Sequence, residues 1–274
     1  MEGQAHKLPR LSARSNLAKV PLIRGVLVLM ESLTLGFRAL SWSAQRSIGE
    51  EEEPLSKRQI AVSMSIALVF FLALFMVLPL LAARFAGFDS ESVWFYIIEA
   101  VVRIALFVLY IWAIGRSKEI ARVFQYHGAE HMTIHAYEHG DALTRERISK
   151  YRPEHPRCGT SFLLIVMLTA LIVFTLIGSL PWYLLITSRI VLIPVIGGLS
   201  YEVLKIGGAK VDGLFGRMLT APGLWLQRLT TSQPEPDMID VAVASLLFAL
   251  SEEEVVAVKA RGALSPEALS AFGG

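Results

Sequence analysis

The sequence predicts an all-α, polytopic membrane protein with about four transmembrane helices and further amphipathic helices at the membrane interface. Three observations carry this. Hydrophobic residues make up 54% of the 274-residue chain and mean hydropathy is +0.52, too apolar for an ordinary soluble domain. Several apolar runs approach the length of about 20 residues that a helix needs to cross a hydrocarbon core of about 30 Å. The segments between those runs alternate between rich and poor in Lys and Arg.

Met1 to Val20 is basic and polar. The apolar stretch that follows is interrupted by Arg24, Glu31 and Arg38, which argues against a cleavable signal. Val20 to Ala44 keeps apolar residues at helical spacing around those charges. It reads as an interfacial amphipathic helix rather than a fifth span. Ile60 to Ala83 holds no charge and is the surest crossing. Val93 to Gly115 crosses with Glu99 and Arg103, four residues apart and therefore on one helix face where they can pair. Thr160 to Leu180 is uncharged. Trp182 to Leu199 carries Arg189, placed near the outer end of its span where a long side chain can snorkel. A tight turn at Pro181 joins these two. Further on, Gly213, Gly216 and Pro222 punctuate an interfacial stretch, Pro234 and Pro236 mark a linker, and Asp237 to Leu250 has helix period. The acidic Glu252–Glu254 run and the tail after it read as mobile.

Orientation follows from the Lys/Arg counts. Nine precede the first span, one lies in Arg84–Ser92, eight in Arg116–Gly159, none at the Pro181 turn, and six from Glu202 onward. The positive-inside rule then places both termini and the 116–159 loop in the cytoplasm. The expected organisation is a cytoplasmic N-terminal segment (1–59), a four-span bundle (60–201) and a cytoplasmic or interfacial C-terminal helical segment (202–274). The bilayer is the expected partner and nucleic acid is not. A homo-oligomer stays open.

Chemistry concentrates in that 116–159 loop. Five of the six histidines lie between His127 and His155, and the chain's one cysteine, Cys158, follows them. A single cysteine excludes an intrachain disulfide framework. If Glu119 to His139 is a helix stopped by Gly140, then His127, His131 and His135 recur every four residues along one stripe. Such i, i+4 pairs present two imidazoles to one metal. His127-x-x-Glu130-His131 also matches the inverted zincin signature, in which two histidines bind zinc and the glutamate activates water. Glu202, at the cytoplasmic end of the last span, or His155 would complete that catalytic set as third ligand. The rival set is His131, His135, His155 and Cys158, whose four donors would close the coordination shell as structural zinc sites do. The two sets share His131, and a binuclear centre is open as well. Histidine and carboxylate donors suit several divalent metals, and a cysteine tilts the choice to Zn²⁺. His139 drifts off the stripe and His6 is expected to be disordered.

Four stretches in order resemble the YqhQ-like family of bacterial membrane proteins. They are Tyr126-His127-Gly128-Ala129-Glu130-His131, His155 to Phe162, Ser200-Tyr201-Glu202-Val203 and Pro222 to Gln227. The resemblance spans about Pro21 to Leu250 and implies a bacterial cytoplasmic-membrane protein of a group described as predicted metal-dependent enzymes, and it brings no known reaction. The family's opening Gly-Gly-Gln-Ala is echoed only by Gly3-Gln4-Ala5, and its Glu-Gly-Val-Met has no counterpart. Three functions follow. One is a zinc-dependent hydrolase at the cytoplasmic interface, with Glu130 as base. Another is a scaffold or regulator stapled by metal. The last is an oligomeric transporter using Glu99 and Arg103, which otherwise read as a pair fixing helix register.

Overall fold

The computed structural model describes residues 19–47, 56–88, 91–156, 158–209 and 213–262. Helices joined by turns and short irregular segments make them up, with no strand among them. His6 and Gly3-Gln4-Ala5 lie outside them, as does the tail after Gly262. The chain divides into two compact units. One draws its described residues from Val108–Ser161 and Gly207–Gly274, the other from Pro9–Phe107 and Phe162–Ile206.

The second unit carries most of the length of the apolar helices, with residues 108–114 of one of them falling in the first. Helix α1 is Ile23–Ser47, and α2, Lys57–Leu72, starts at a Ser56/Gln59 capping box. A π-helical turn at Ala73–Val77 links α2 to α3, Leu78–Phe85. Helix α4 is Val93–Ile114 and α7 is Thr160–Ile177. Three stretches are long and apolar enough to cross a membrane: Arg58–Phe85, Val93–Ile114 and Thr160–Ile177. The fourth expected span is a bent pair, α8 (Trp182–Val191) and α9 (Ile193–Ala209), with a 47° angle between Tyr183–Val191 and Ile193–Ile206. Pro194 accounts for the break, because it lacks an N–H and in a continuous helix its ring would crowd the carbonyl of Ile190. The 25-residue α1 is not among the candidate spans. It packs close to α9, where a Cβ on Gly25 would come within 2.9 Å of the Gly198 carbonyl oxygen. Arg24 locks this crossing by pairing with Glu202. Ile66, Leu68, Val69 and Phe70 stand exposed on α2, an apolar surface suited to lipid rather than water.

The apolar core of this unit joins Leu80, Phe95, Ala170, Phe174, Leu185 and Ile196. Beside it sits a buried ion cluster. Glu99 accepts from Arg103 at 2.5 Å, as its spacing predicted, and from Arg189 at 2.6 Å. Arg189 therefore does not snorkel. It is buried, and its guanidinium stacks 4.0 Å over Phe174. Arg103 also donates to the Phe75 carbonyl at 2.9 Å, within the π turn whose widened register releases backbone acceptors.

In the first unit, α5 (Lys118–Glu138) matches the expected helix. Its end is a full Schellman motif, with Gly140 at φ +74°, Gly140 N–H to Tyr137 and Asp141 N–H to Ala136. A short α6 (Arg145–Ile148) follows, then α10 (Leu214–Thr230), α11 (Pro236–Ala249) and α12 (Glu252–Ala260). Pro222 sits inside α10 rather than ending it. The acidic run expected to be mobile is instead the first turn of α12, where carboxylates complement the helix dipole and Ser251/Glu254 form a capping box. Met132, Leu143, Ile148, Met238, Val243 and Leu247 build the core between α5, α6 and α11, with Val255 and Val258 of α12. Each such side chain, fully buried, contributes about 1.5–3 kcal/mol. Arg145 pairs with buried Asp240 across this core's edge.

Candidate metal centre

Helix α5 turns the histidine stripe inward: His131 is 5% exposed and its neighbours Ala129 and Met132 are fully buried. The rings of His127 and His131 lie 4.3 Å apart. Each is oriented by a backbone carbonyl. The Thr230 oxygen lies 2.9 Å from His127 Nδ1, and the Pro153 oxygen lies 2.6 Å from His131 Nδ1. If each Nδ1 donates there, Nε2 is left as the available lone pair. Histidine ligands of metals are commonly held in this way.

Small residues allow the carbonyls to come so close. A Cβ on Gly128 would collide with the Ser232 carbonyl oxygen, and Ser232 N–H is bonded to Phe124 O at 3.0 Å. The chain leaving α10 is therefore drawn against α5, which sets the Thr230 carbonyl on His127. Gly223 plays the same part between α10 and Ser161, where any Cβ would strike the serine side chain. From the same face of α10 the fully buried Gln227 brackets His155. Its Oε1 accepts the His155 N–H at 2.7 Å and its Nε2 donates to the His155 carbonyl at 2.9 Å.

This bracket delivers Cys158. Its Sγ lies 3.3 Å from His127 Nε2, and the Thr160 N–H donates to it at 3.3 Å. His127, His131 and Cys158 each offer a ligand atom within 4.8 Å of the others. Burial alone would push the Cys158 thiol up, but hydrogen bonds from His127, His131 and Thr160 outweigh it and bring the pKa down to about 5. His127 shifts in the matching direction. Burial opposes its charge, yet the Cys158 and Thr230 bonds raise its pKa. The two shifts run in matching directions, the thiol down and the imidazole up.

The two ligand sets expected from sequence are redistributed. His127 and His131 come together as the zincin-like reading has them, and Cys158 joins them instead of the rival set. Glu202 is not in the triad; it belongs to the other unit, where Arg24 occupies both its oxygens. Glu130 lies on the exposed side of α5, with no hydrogen bond to the triad. His135 and His155 form an adjoining layer, their rings 4.4 Å apart. His135 Nε2 lies 3.0 Å from the Glu154 carbonyl oxygen, and His155 Nε2 lies 3.4 Å from Glu138. Burial, then the charges of His135 and His131, lower the His155 pKa to about 4, against the pull of Glu138. His139 is exposed, and its Nδ1 lies 2.7 Å from the His135 carbonyl oxygen of its own helix. Sequence reasoning missed Thr230, Pro153 and Gln227 as positioning groups. Only Gln227 left a trace, as the last residue of the stretch Pro222 to Gln227.

Fold and site together define a helical membrane protein with a buried histidine–cysteine cluster. The family model described as "Protein of unknown function (DUF1385)" matches residues 20–252, and the chain belongs to that family. It is 34% identical over 269 residues to "Uncharacterized protein YqhQ" of Bacillus subtilis (strain 168), covering 90% of this chain and 84% of that one. Neither description names a metal or a reaction. No solved structure matches.

Proposed function

We propose that His127, His131 and Cys158 hold a divalent metal, zinc by preference, in a hydrolase working at the cytoplasmic face of the bacterial membrane. The convergence of two carbonyl-oriented imidazoles on one buried thiol supports this reading. The donor chemistry fits: a soft sulfur that favours the thiolate, and imidazoles whose other nitrogens are held. Three protein ligands leave a coordination position for water or substrate, the pattern of catalytic rather than structural zinc. Bound there, zinc would lower the pKa of water and polarise a carbonyl or phosphoryl oxygen. The chain's own residues hold the ligand geometry and accept the proton. Glu130, in the sequence motif, and the Glu138–His155 pair, one layer from the triad, are the two candidate acceptors.

The same geometry supports a second reading. A thiolate 3.3 Å from an imidazole that a carbonyl orients is also a nucleophile–base dyad. Metal content separates the two. The test is mass spectrometry on unchelated, detergent-purified full chain, as wild type, His131→Ala, Cys158→Ser and Glu130→Gln. About one zinc per chain, lost in the first two variants and kept in the third, is the expected result. A metal-free wild type with a rapidly alkylated Cys158 would overturn it in favour of the dyad.

A further inference from the structure

A cleft of about 630 Å³ opens in the same unit as the triad. Lys150, Arg152, Arg217 and Arg228 line it, against one carboxylate, Glu154. Arg228 stands 3.6 Å from Glu154, and among the described residues Lys150, Arg152 and Arg217 have no ion pair. The lining therefore carries an excess of about three positive charges with the histidines neutral, by Lys and Arg against Glu.

Topology explains basic residues in a loop, but not their convergence. Arg217, Ala221, Leu224 and Arg228 recur on one stripe of α10 and face Lys150 and Arg152 from the segment after α6. The wall between them is the stretch that builds the triad. Pro153 holds His131, Glu154 holds His135, and Pro156 lines the cleft itself. His135 and His139 complete the lining on the α5 side. The cleft thus lies one imidazole layer from the cluster. Its volume suits a small molecule, and Ala221 and Leu224 add apolar wall to the cations.

We infer that this cleft binds a phosphate monoester, the substrate group of the reaction centre. Such a group carries about −1.5 to −2 charges near neutral pH, enough to answer several cations where one carboxylate is not. Arginine forks match its oxygens, and it can come as a lipid headgroup or as a soluble ester. The inference deepens the metal-site reading and rests on it for the role of substrate; binding in the cleft stands apart.

The test is calorimetric titration of detergent-purified full chain with three probes: dihexanoyl phosphatidic acid, glycerol 3-phosphate and dihexanoyl phosphatidylcholine. The expected result is binding of a monoester, none of the choline diester, and weakening of roughly tenfold per arginine in Arg217→Gln and Arg228→Gln. Arg217→Lys should retain part of the affinity. The arm that binds tells a lipid from a soluble ester. Equal binding of all three probes, no binding of either monoester, or wild-type affinity in the double Gln variant would overturn the inference. Zinc is counted in the same samples. Zinc without binding removes the cleft assignment alone, and binding without zinc removes the metal reading alone.

Discussion

The chemistry of single residues here is set by neighbours far away in sequence. Cys158 and His127 are 31 positions apart and tune each other. In metal-free protein the rate of Cys158 alkylation should follow a titration near pH 5 rather than near 9. His127→Ala should move that midpoint up, because burial then acts with less opposition; an unchanged profile in a folded variant would refute the pairing. His155 supplies the opposite sign. Its folded pKa of about 4 lies below the ordinary 6.5, so the unfolded chain binds the extra proton first. Stability should therefore fall as pH drops from about 6.5 to about 4. His127, with a raised folded pKa, opposes this by favouring the folded state on the acid side. Thermal unfolding of wild type and His155→Gln across that range isolates the His155 share: the variant's slope should be shallower. The sequence showed which residue types gather, since five histidines and a cysteine in so short a stretch are visible by inspection. It did not show the partition. Helical spacing links His127 to His131, whereas the reach of Cys158 depends on Gln227, and the orienting groups are backbone carbonyls, which no side-chain pattern reveals.

Helices hold those residues through close approaches at glycine. Gly128→Ala should push the Ser232 carbonyl away from α5 and carry the Thr230 carbonyl off His127. The expected cost is about 1–3 kcal/mol of stability, typical of overpacking, together with weakened metal retention. Calorimetry and metal content on one preparation check both; a variant with wild-type values would mean the chain exit from α10 is not what sets His127. Gln227→Leu removes both hydrogen bonds to His155 and strands its buried N–H, a loss of roughly 1–3 kcal/mol. Among the elements, α5 was legible because periodicity, a following glycine and polar flanks agreed. The break between α8 and α9 was present in the sequence as Pro194, yet hydropathy averaging ran across it. The first turn of α12 was misread because three glutamates resemble a solvated tail unless Ser251 is recognised as their cap. The π turn has no comparable signal: Ala73–Val77 is as apolar as its surroundings.

For the whole molecule, the decisive electrostatic feature is the ion cluster of the apolar unit. Glu99 is 1% exposed and joins Arg103 on its own helix to Arg189 on α8, while Arg103 reaches the π turn at Phe75. One carboxylate thus ties three stretches of chain that are otherwise held by non-directional apolar contact. Hydrocarbon around helices supplies little drive for one packing over another, so a directional polar cluster specifies the arrangement. The register role expected of the Glu99–Arg103 pair is strengthened by the third member. A transport role would instead need Glu99 to exchange its partners. Removing the carboxylate separates these. Glu99→Gln keeps shape and some hydrogen bonding but leaves two buried guanidinium groups without their counter-charge, and Glu99→Ala adds a cavity. Breaking a buried pair this way costs about 3–5 kcal/mol. Both variants should unfold at clearly lower temperature in detergent, Glu99→Ala more so. Pairing Glu99→Ala with Arg103→Met and Arg189→Met should recover much of the loss, because no uncompensated charge then stays buried. The zinc stoichiometry of the triad should be unchanged in the triple variant. Recovery of stability would mark the cluster as a packing device; a triple variant as unstable as Glu99→Ala alone would show that the charges themselves are required and return weight to a path for ions through this unit.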